Sequence, residues 1–345
     1  MKFYPFELHC HTRHSDGNFT PATLVEAAKA AGLFGISLTD HNAVSGLIET
    51  AKEGEKNSLI VLLGTEWTTF YGHLTVYGAA NSARDSNAEI LSLSGIPSAL
   101  KIDWRTVNPA TIIERAKDVR AAGGCVGLAH PCRPGNPVCT GGYDEWNIKN
   151  DIDYGAFTHF EVWSGLSPQK DITNRFALEK YRRLCAAGVR LACLSGRDWH
   201  SDEKIGAYAA TYLGIDGAPT ALKALDSIKN RRTYISVGVR LQAELIGADG
   251  RRYFFGDVIP KGKYVFCGSL SEFDRAYTQK YGVAVEKICL RGNTAHYEIE
   301  LDGGGQFRAE IDTKDEAFLQ TEVIGKIEGD RTELLLATPF FTEVR

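Results

Sequence analysis

From residue 1 to about 235 the chain alternates short apolar runs with longer segments whose apolar residues recur at helical spacing, the pattern of parallel strands joined by helices. Phe3 to Leu8, Phe34 to Leu38, Leu59 to Leu63, Leu74 to Tyr77, Cys125 to Ala129, His159 to Trp163, Val189 to Leu194 and Thr233 to Val237 read as strands. Thr20-Pro21 supplies an N-cap and a first-turn proline, Leu24, Ala27, Ala28 and Ala31 line one face, and Gly32 closes a first helix. Asn108-Pro109 starts another helix, Asp171 to Ala187 forms a further one, and Thr220 to Lys229 the last. Several strands interleaved with helices point to a βα barrel rather than an open sheet.

Beyond about residue 236 the period changes to two. Ala295 to Leu301 and Phe307 to Ile311 alternate apolar and polar positions around the turn Asp302-Gly-Gly-Gly305, which is antiparallel β of the sandwich kind. The expected organisation is therefore an α/β barrel over 1–235 and a β-sandwich-like part over 236–345. The two are expected to pack together, because no repeat, low-complexity tract or flexible linker separates them.

Composition narrows the function classes. With 345 residues, 43% of them hydrophobic, the chain can bury a large core. Lysine and arginine total 39 against 43 acidic residues, so the net charge of -4 offers no bulk attraction for nucleic acid or anionic membranes. No run of about eighteen apolar residues could span a bilayer, and the first strand leads into polar residues with no secretory h-region, so a cytoplasmic location is expected. The eight cysteines form no CxxC pair, and several, such as Cys125 and Cys193, sit in apolar runs as buried free thiols. Oligomeric state is not legible.

Histidine changes the picture. Eight of the nine histidines fall in the first 200 residues, most of them just after a predicted strand. In a βα barrel such positions converge on one mouth. The first strand delivers His9-Cys-His11, whose alternate residues point the same way; Asp16 follows in a turn. Later strands bring His41, Glu66, His73, His130, and finally Asp198-Trp-His200. Any single HxH occurs by chance, but this many polar groups at strand ends would cost burial energy without a counter-ion. Imidazoles mixed with carboxylates suit Zn²⁺, Mn²⁺ or Fe²⁺. Nine ligands at three or four per ion imply two or three cations, with Glu66 as the natural bridge.

The order and spelling of these motifs resemble the PHP (polymerase and histidinol phosphatase) superfamily of metal-dependent phosphoesterases, across residues 6 to 200. The match lies in His9-Cys-His-Thr12 with Ser15-Asp-Gly17, Thr39-Asp-His41, Gly64-Thr-Glu66, His130-Pro131 and Asp198-Trp-His200. The phrases Gly72 to Gly78, Phe160 to Trp163 and Arg231 to Tyr234 are similar to a carbaryl hydrolase-like branch, often extended by β structure after the barrel. The resemblance implies a distorted seven-stranded βα (TIM-like) barrel. It also implies one ion on His9, His11, Glu66 and Asp198, a second on Glu66, His73 and His130, and a third on Asp16, His41 and His200. Asp40 would be a positioning or proton-handling group, and Glu66 and Asp198 would join it as catalytic residues. Arg197 stands where the family usually has a small residue, and Cys132-Arg133 where glycine is common.

The expected activity is hydrolysis of a small phosphomonoester or nucleotide by a metal-activated hydroxide, since a cation lowers the pKa of water to about 7. Neither Ser15 nor Ser195 lies in a GxSxG elbow, which weakens a serine-hydrolase reading. Arg133 and Arg197 follow ligand motifs closely, so each is a candidate phosphate binder or a salt-bridge partner of a nearby carboxylate. His14 is expected to be exposed, and His159 and His296 structural. Trp67, Trp163 and Trp199 could wall a substrate site or simply pack behind it. A carboxylester, amide or carbamate hydrolase using the same metals, or a non-catalytic metal-containing binding protein, are the alternatives.

Overall fold

The computed structural model describes residues 1–69, 71–78, 108–133, 153–165, 171–202, 207–272 and 275–343. Strands β1 (Lys2–Cys10), β2 (Gly35–Leu38) and β3 (Ile60–Thr69) run parallel, joined by helices α1 (Pro21–Ala30) and α2 (Leu47–Asn57). Next come β4 (Gly72–Gly78), α3 (Pro109–Ala121), β5 (Cys125–Leu128), β6 (His159–Ser164), α4 (Ile172–Ala186) and β7 (Ala192–Gly196). β4 lies antiparallel between β3 and β5, while β5, β6 and β7 are parallel again. β8 (Ala210–Ile215), α5 (Ala221–Lys229) and β9 (Thr233–Ser236) follow, β8 pairing antiparallel with β1 and β9.

Local chemistry explains the helix starts. Thr20 accepts from the Thr23 amide while Thr23 returns the bond, and the Asn108, Asp171 and Thr220 side chains each accept a first-turn amide of α3, α4 and α5. β2, β5, β7 and β8 are buried along their whole length, as strands covered on both faces must be.

The remaining chain is β10 (Val239–Gly247), β11 (Arg252–Tyr253), β12 (Val258–Ile259), β13 (Lys263–Glu272), α6 (Arg275–Tyr281), β14 (Ala284–Gly292), β15 (His296–Ile299), β16 (Gln306–Asp312), β17 (Phe318–Ile327), β18 (Asp330–Ala337) and β19 (Phe340–Thr342). β11, β10, β13 and β16 form a four-stranded antiparallel sheet. Buried and exposed residues alternate along most of β10, so one face of that sheet turns to the core. The other late strands extend the main sheet, because β18 pairs with β9. The result is a mixed fifteen-stranded sheet running from β12 through β9, β8 and β1 to β7.

Among the described residues no closed barrel is found. The ladder is an open path with β7 at its end, and β1 meets the chain beyond β7 through a single parallel bridge, Cys10 to Trp199. Two further features depart from expectation. β3 continues to Thr69 as one arm of a hairpin with β4, which places Glu66 within a strand rather than at its end. β8, absent from the strands expected from sequence, supplies the antiparallel neighbour of β1. Of the cysteines, seven are free, and Cys139 lies outside the described residues. No described helix is long and apolar enough to cross a membrane.

An aromatic chain ties the first strand to the last. Phe3 meets Tyr234 at 4.9 Å, Tyr234 meets Phe255 at 6.4 Å, and Phe255 meets Phe340 at 5.4 Å between ring centres. Phe340 is fully buried, and Phe340→Ala should cost about 3–5 kcal/mol. All five tryptophans precede residue 200. The loss should nonetheless lower the urea midpoint reported by tryptophan fluorescence, because β9 and β18 share one ladder. An unchanged midpoint would mean that the late strands unfold on their own.

Candidate metal centre

The two strands β1 and β3 carry the centre. Glu66, fully buried in β3, points its two carboxylate oxygens at five imidazoles. Oε2 lies 3.0 Å from His9 Nε2, 3.2 Å from His11 Nε2 and 3.1 Å from His41 Nδ1. Oε1 lies 2.9 Å from His73 Nδ1 and 2.8 Å from His130 Nε2. His73 reaches it because the hairpin register sets Thr68 opposite His73 on β4.

Asp198 closes one side. Its Oδ1 is 3.4 Å from His9 Nε2 and 3.2 Å from His11 Nε2, while Oδ2 accepts from Arg133 Nη1 at 3.1 Å. His200 Nε2 and Asp16 Oδ1 are 3.2 Å apart, and His41 Nε2 stands 3.6 Å from Asp16 Oδ2. All nine residues picked from the sequence thus meet in one place. Eight of the nine fall into groups whose donor atoms lie within 4.8 Å of one another: His9, His11, Glu66 and Asp198; His41, Glu66 and His73; His11, Asp16, His41 and His200. His130 joins through Glu66, and its expected place beside Glu66 and His73 is taken by His41.

Backbone strain accompanies the cluster. His130 (φ 29°), Asp198 (φ 56°) and Asn42, next to His41, with φ 47°, are three of six described non-glycine residues in the left-handed region. Gly196 is required by space: a Cβ there would lie 2.1 Å from Glu161 Oε1 and 2.5 Å from His9 Cβ.

The donor chemistry fits divalent cations. His9 Nε2, His11 Nε2 and Glu66 Oε2 are buried and face one another with no hydrogen-bond partner among the described residues, the kind of exception that an ion explains. Burial would push His9 and His11 down. The surrounding carboxylates outweigh it, Glu66, Glu161 and Asp198 at His9 and Asp198 and Glu66 at His11, and hold both imidazoles above their ordinary 6.5. Burial would likewise raise Glu66 and Asp198, but His9, His11 and the other imidazoles hold both below the ordinary carboxylate range. His41 is lowered by burial.

Several supporting residues escaped the sequence reading. Glu161 Oε1 lies 3.0 Å from His9 Nδ1, and its Oε2 accepts from the His130 amide at 2.6 Å, so one carboxylate orients two imidazole-bearing residues. Glu7 Oε1 accepts from the amides of His9 (3.0 Å) and Arg197 (2.9 Å), and burial pushes its carboxyl up to about 7 against the opposing charge of Arg197. The signal was present, since Glu7 and Glu161 each interrupt an apolar strand run with a charge. Thr68 Oγ1 holds His41 Nδ1 at 2.6 Å.

Other candidates take different places. Asp40 has both oxygens occupied by Thr12 N (2.6 Å), Thr12 Oγ1 (2.7 Å) and Ser15 Oγ (2.6 Å), so it orders the turn between His11 and Asp16. The Arg197 guanidinium lies 4.0 Å from the Trp199 ring centre and 4.5 Å from that of Tyr208, and only 8% of the residue is exposed. Stacked between two rings, Arg197 presents little of its guanidinium to a phosphate. Arg133 sits against Asp198 with about a third of its side chain exposed. His14 is half-buried and bonds Ser45 rather than the cluster. His159 is fully buried between Thr75 and Thr158 and is lowered to about 3 by burial. His296 lies beside Glu298, and Trp67, Trp163 and Trp199 are all packed away.

Cations bind neutral imidazole, so metal uptake by this cluster should release protons from His9 and His11. Their stabilising charge in the metal-free chain is full below pH 6.5 and fades as pH rises through their elevated values, whereas metal affinity should climb over that same window. Calorimetry of Zn²⁺ binding in buffers of different ionisation enthalpy checks this; a heat independent of buffer would contradict it. Glu161→Gln should weaken Zn²⁺ binding about 10–100-fold in chelator competition.

The chain is 35% identical over 71 residues to a 3',5'-nucleoside bisphosphate phosphatase of Chromobacterium violaceum, covering 21% of this chain and 25% of that protein. It is 26% identical over 124 residues to a 5'-3' exoribonuclease of Haemophilus influenzae, covering 36% of this chain and 45% of that one. The chain therefore spans less than half the length of either curated relative. Among solved structures, a two-domain protein containing predicted PHP-like metal-dependent phosphoesterase from Bacteroides vulgatus aligns over 98% of this chain and 95% of its own, at 15% identity and a TM-score of 0.49. Residues 7–127, which hold His9, His11, Asp16, His41, Glu66 and His73, match the family model of the PHP domain.

Proposed function

We propose that the chain is a metal-dependent phosphoesterase that hydrolyses a small phosphomonoester, a nucleotide being the leading candidate, with two or three Zn, Mn or Fe ions on the nine-residue cluster. The observation that carries it is the carboxylate of Glu66 ringed by five imidazoles, with buried atoms that find no hydrogen-bond partner among the described residues. The PHP match over residues 7–127 and the bisphosphate phosphatase among the partial relatives support phosphorus as the centre attacked.

The cations would polarise the phosphoryl oxygens and lower the pKa of an attacking water toward about 7. The chain's own residues supply the frame. Glu66 joins the groups on either side of it, and Asp198 shares His9 and His11 with them. Asp40 keeps the 12–15 turn in place and is assigned a positioning role. Arg133, partly exposed beside Asp198, is the residue we assign to the substrate phosphate, where a planar guanidinium can pair two oxygens. We further propose that 1–235 is the catalytic part and that 236–345 supports it, since none of the nine ligands falls beyond His200.

Metal-replete protein should hydrolyse p-nitrophenyl phosphate or nucleoside phosphates and leave aryl carboxylesters untouched; the reverse preference would favour the carboxylester alternative. Asp198→Asn should lower turnover by more than the roughly 10–100-fold typical of an outer partner, with an unchanged circular dichroism spectrum. Arg133→Met should raise KM about tenfold, equivalent to about 1.4 kcal/mol of phosphate binding. Full activity in Asp198→Asn would sink the mechanism.

A further inference from the structure

The site's least explained buried group is Glu7, a carboxylate only 1% exposed on a strand otherwise apolar toward the core. It binds none of the cluster's donor atoms. Its Oε1 instead accepts two backbone amides, that of His9 two residues along β1 and that of Arg197 just past β7.

Both amides lie where regular strand pairing is interrupted, one on each side of the same gap. The β1–β2 pairing is regular at Phe6 and Glu7 and resumes at Cys10, with a shift of register between. An irregularity of that kind leaves a backbone group of the bulged strand without its ladder partner. On the other side β7 ends the ladder, and β1 meets the chain beyond it at the Cys10–Trp199 bridge, where Trp199 N donates to His9 O and His11 N to Trp199 O, each at 2.9 Å. Arg197 N lies two residues before Trp199 and donates to the Glu7 side chain rather than extending that bridge. Buried amides require an acceptor.

We propose that Glu7 is a positioning residue of the metal centre: by accepting both amides on one oxygen it stands in for the missing β1–β7 ladder and fixes His9 against Asp198. The two ligands come from segments whose backbones are joined by a single β-bridge. Asp198 is the residue immediately after Arg197 and already holds a strained φ of 56°. Gly196, one residue before, is packed against His9. A shift of the 196–198 segment would therefore change the His9–Asp198 separation directly. What Glu7 contributes is acceptance of hydrogen bonds, which an uncharged amide oxygen can also provide.

The role rests on the reading of the cluster as a metal centre, and the test separates the two. Zn²⁺ affinity would be measured by competition with a chromophoric chelator for the full chain, Glu7→Ala, Glu7→Gln and, as a purely structural lesion, Phe340→Ala. Glu7→Ala should bind its weakest-held ion about 10–100-fold less tightly while circular dichroism shows it folded. Glu7→Gln should stay within about threefold of the parent, and Phe340→Ala should lose stability but not affinity. Parent-like affinity in Glu7→Ala overturns the role of Glu7 alone, as does Glu7→Gln falling as far as the alanine variant. Should Glu7→Ala fail to fold, Glu7→Gln and Glu7→Leu decide instead: the role requires leucine to lose affinity about 10–100-fold while glutamine stays within about threefold of the parent, and equal affinity in the two overturns it. A parent chain that binds no Zn²⁺ overturns both proposals together.

Discussion

Five imidazoles within about 3 Å of one buried carboxylate form an arrangement that dictates much of the architecture around it. Glu66 contributes both oxygens, three histidines facing one and two facing the other. Left as ion pairs, such a group would carry several positive charges in a space closed to water, where desolvation outweighs attraction unless every donor is satisfied. Three of its atoms have no hydrogen-bond partner among the described residues. Divalent cations would relieve this by binding the neutral imidazoles and the carboxylate at once.

Holding that group in place requires segments far apart in sequence, and the chain uses charged residues rather than regular ladder to do so. Glu161 on β6 gives one oxygen to His9 and the other to the amide of His130. Asp40 ties the turn bearing His11 and Asp16 through Thr12 and Ser15. Strained backbone at His130, Asp198 and Asn42 lies beside that group, in keeping with strain gathering where surrounding structure over-determines conformation. Arg197 adds a packed cation between Trp199 and Tyr208 at the same corner.

Much of this was legible in the sequence, for identifiable reasons. The nine ligand types could be picked because polar residues that recur at the ends of apolar runs have no cheap structural role. The helix starts were legible because Thr20, Asn108, Asp171 and Thr220 are side-chain caps that act locally. What escaped depended on partners distant in the chain. Glu7 and Glu161 acquire meaning only when β1, β6 and β7 come together. The β3–β4 hairpin lengthened a strand that seemed to end at Leu63, since Glu66 and Trp67 look like the close of an apolar run until Leu74 and His73 are paired across from them. Arg197 looked like a phosphate binder by proximity in sequence, and its burial between two rings is a tertiary fact. Closure of the barrel, expected from strand count, depends on registers that periodicity does not encode, and the pairing ends at β7.

The account stands on the claim that Glu66 anchors more than one divalent cation. Elemental analysis of the purified full chain, with and without Glu66→Ala, tests it most directly. Two or three tightly held Zn, Mn or Fe ions per chain, falling to one or none when the carboxylate is removed, is the predicted result. A metal-free parent chain, or a metal content indifferent to Glu66, would contradict it.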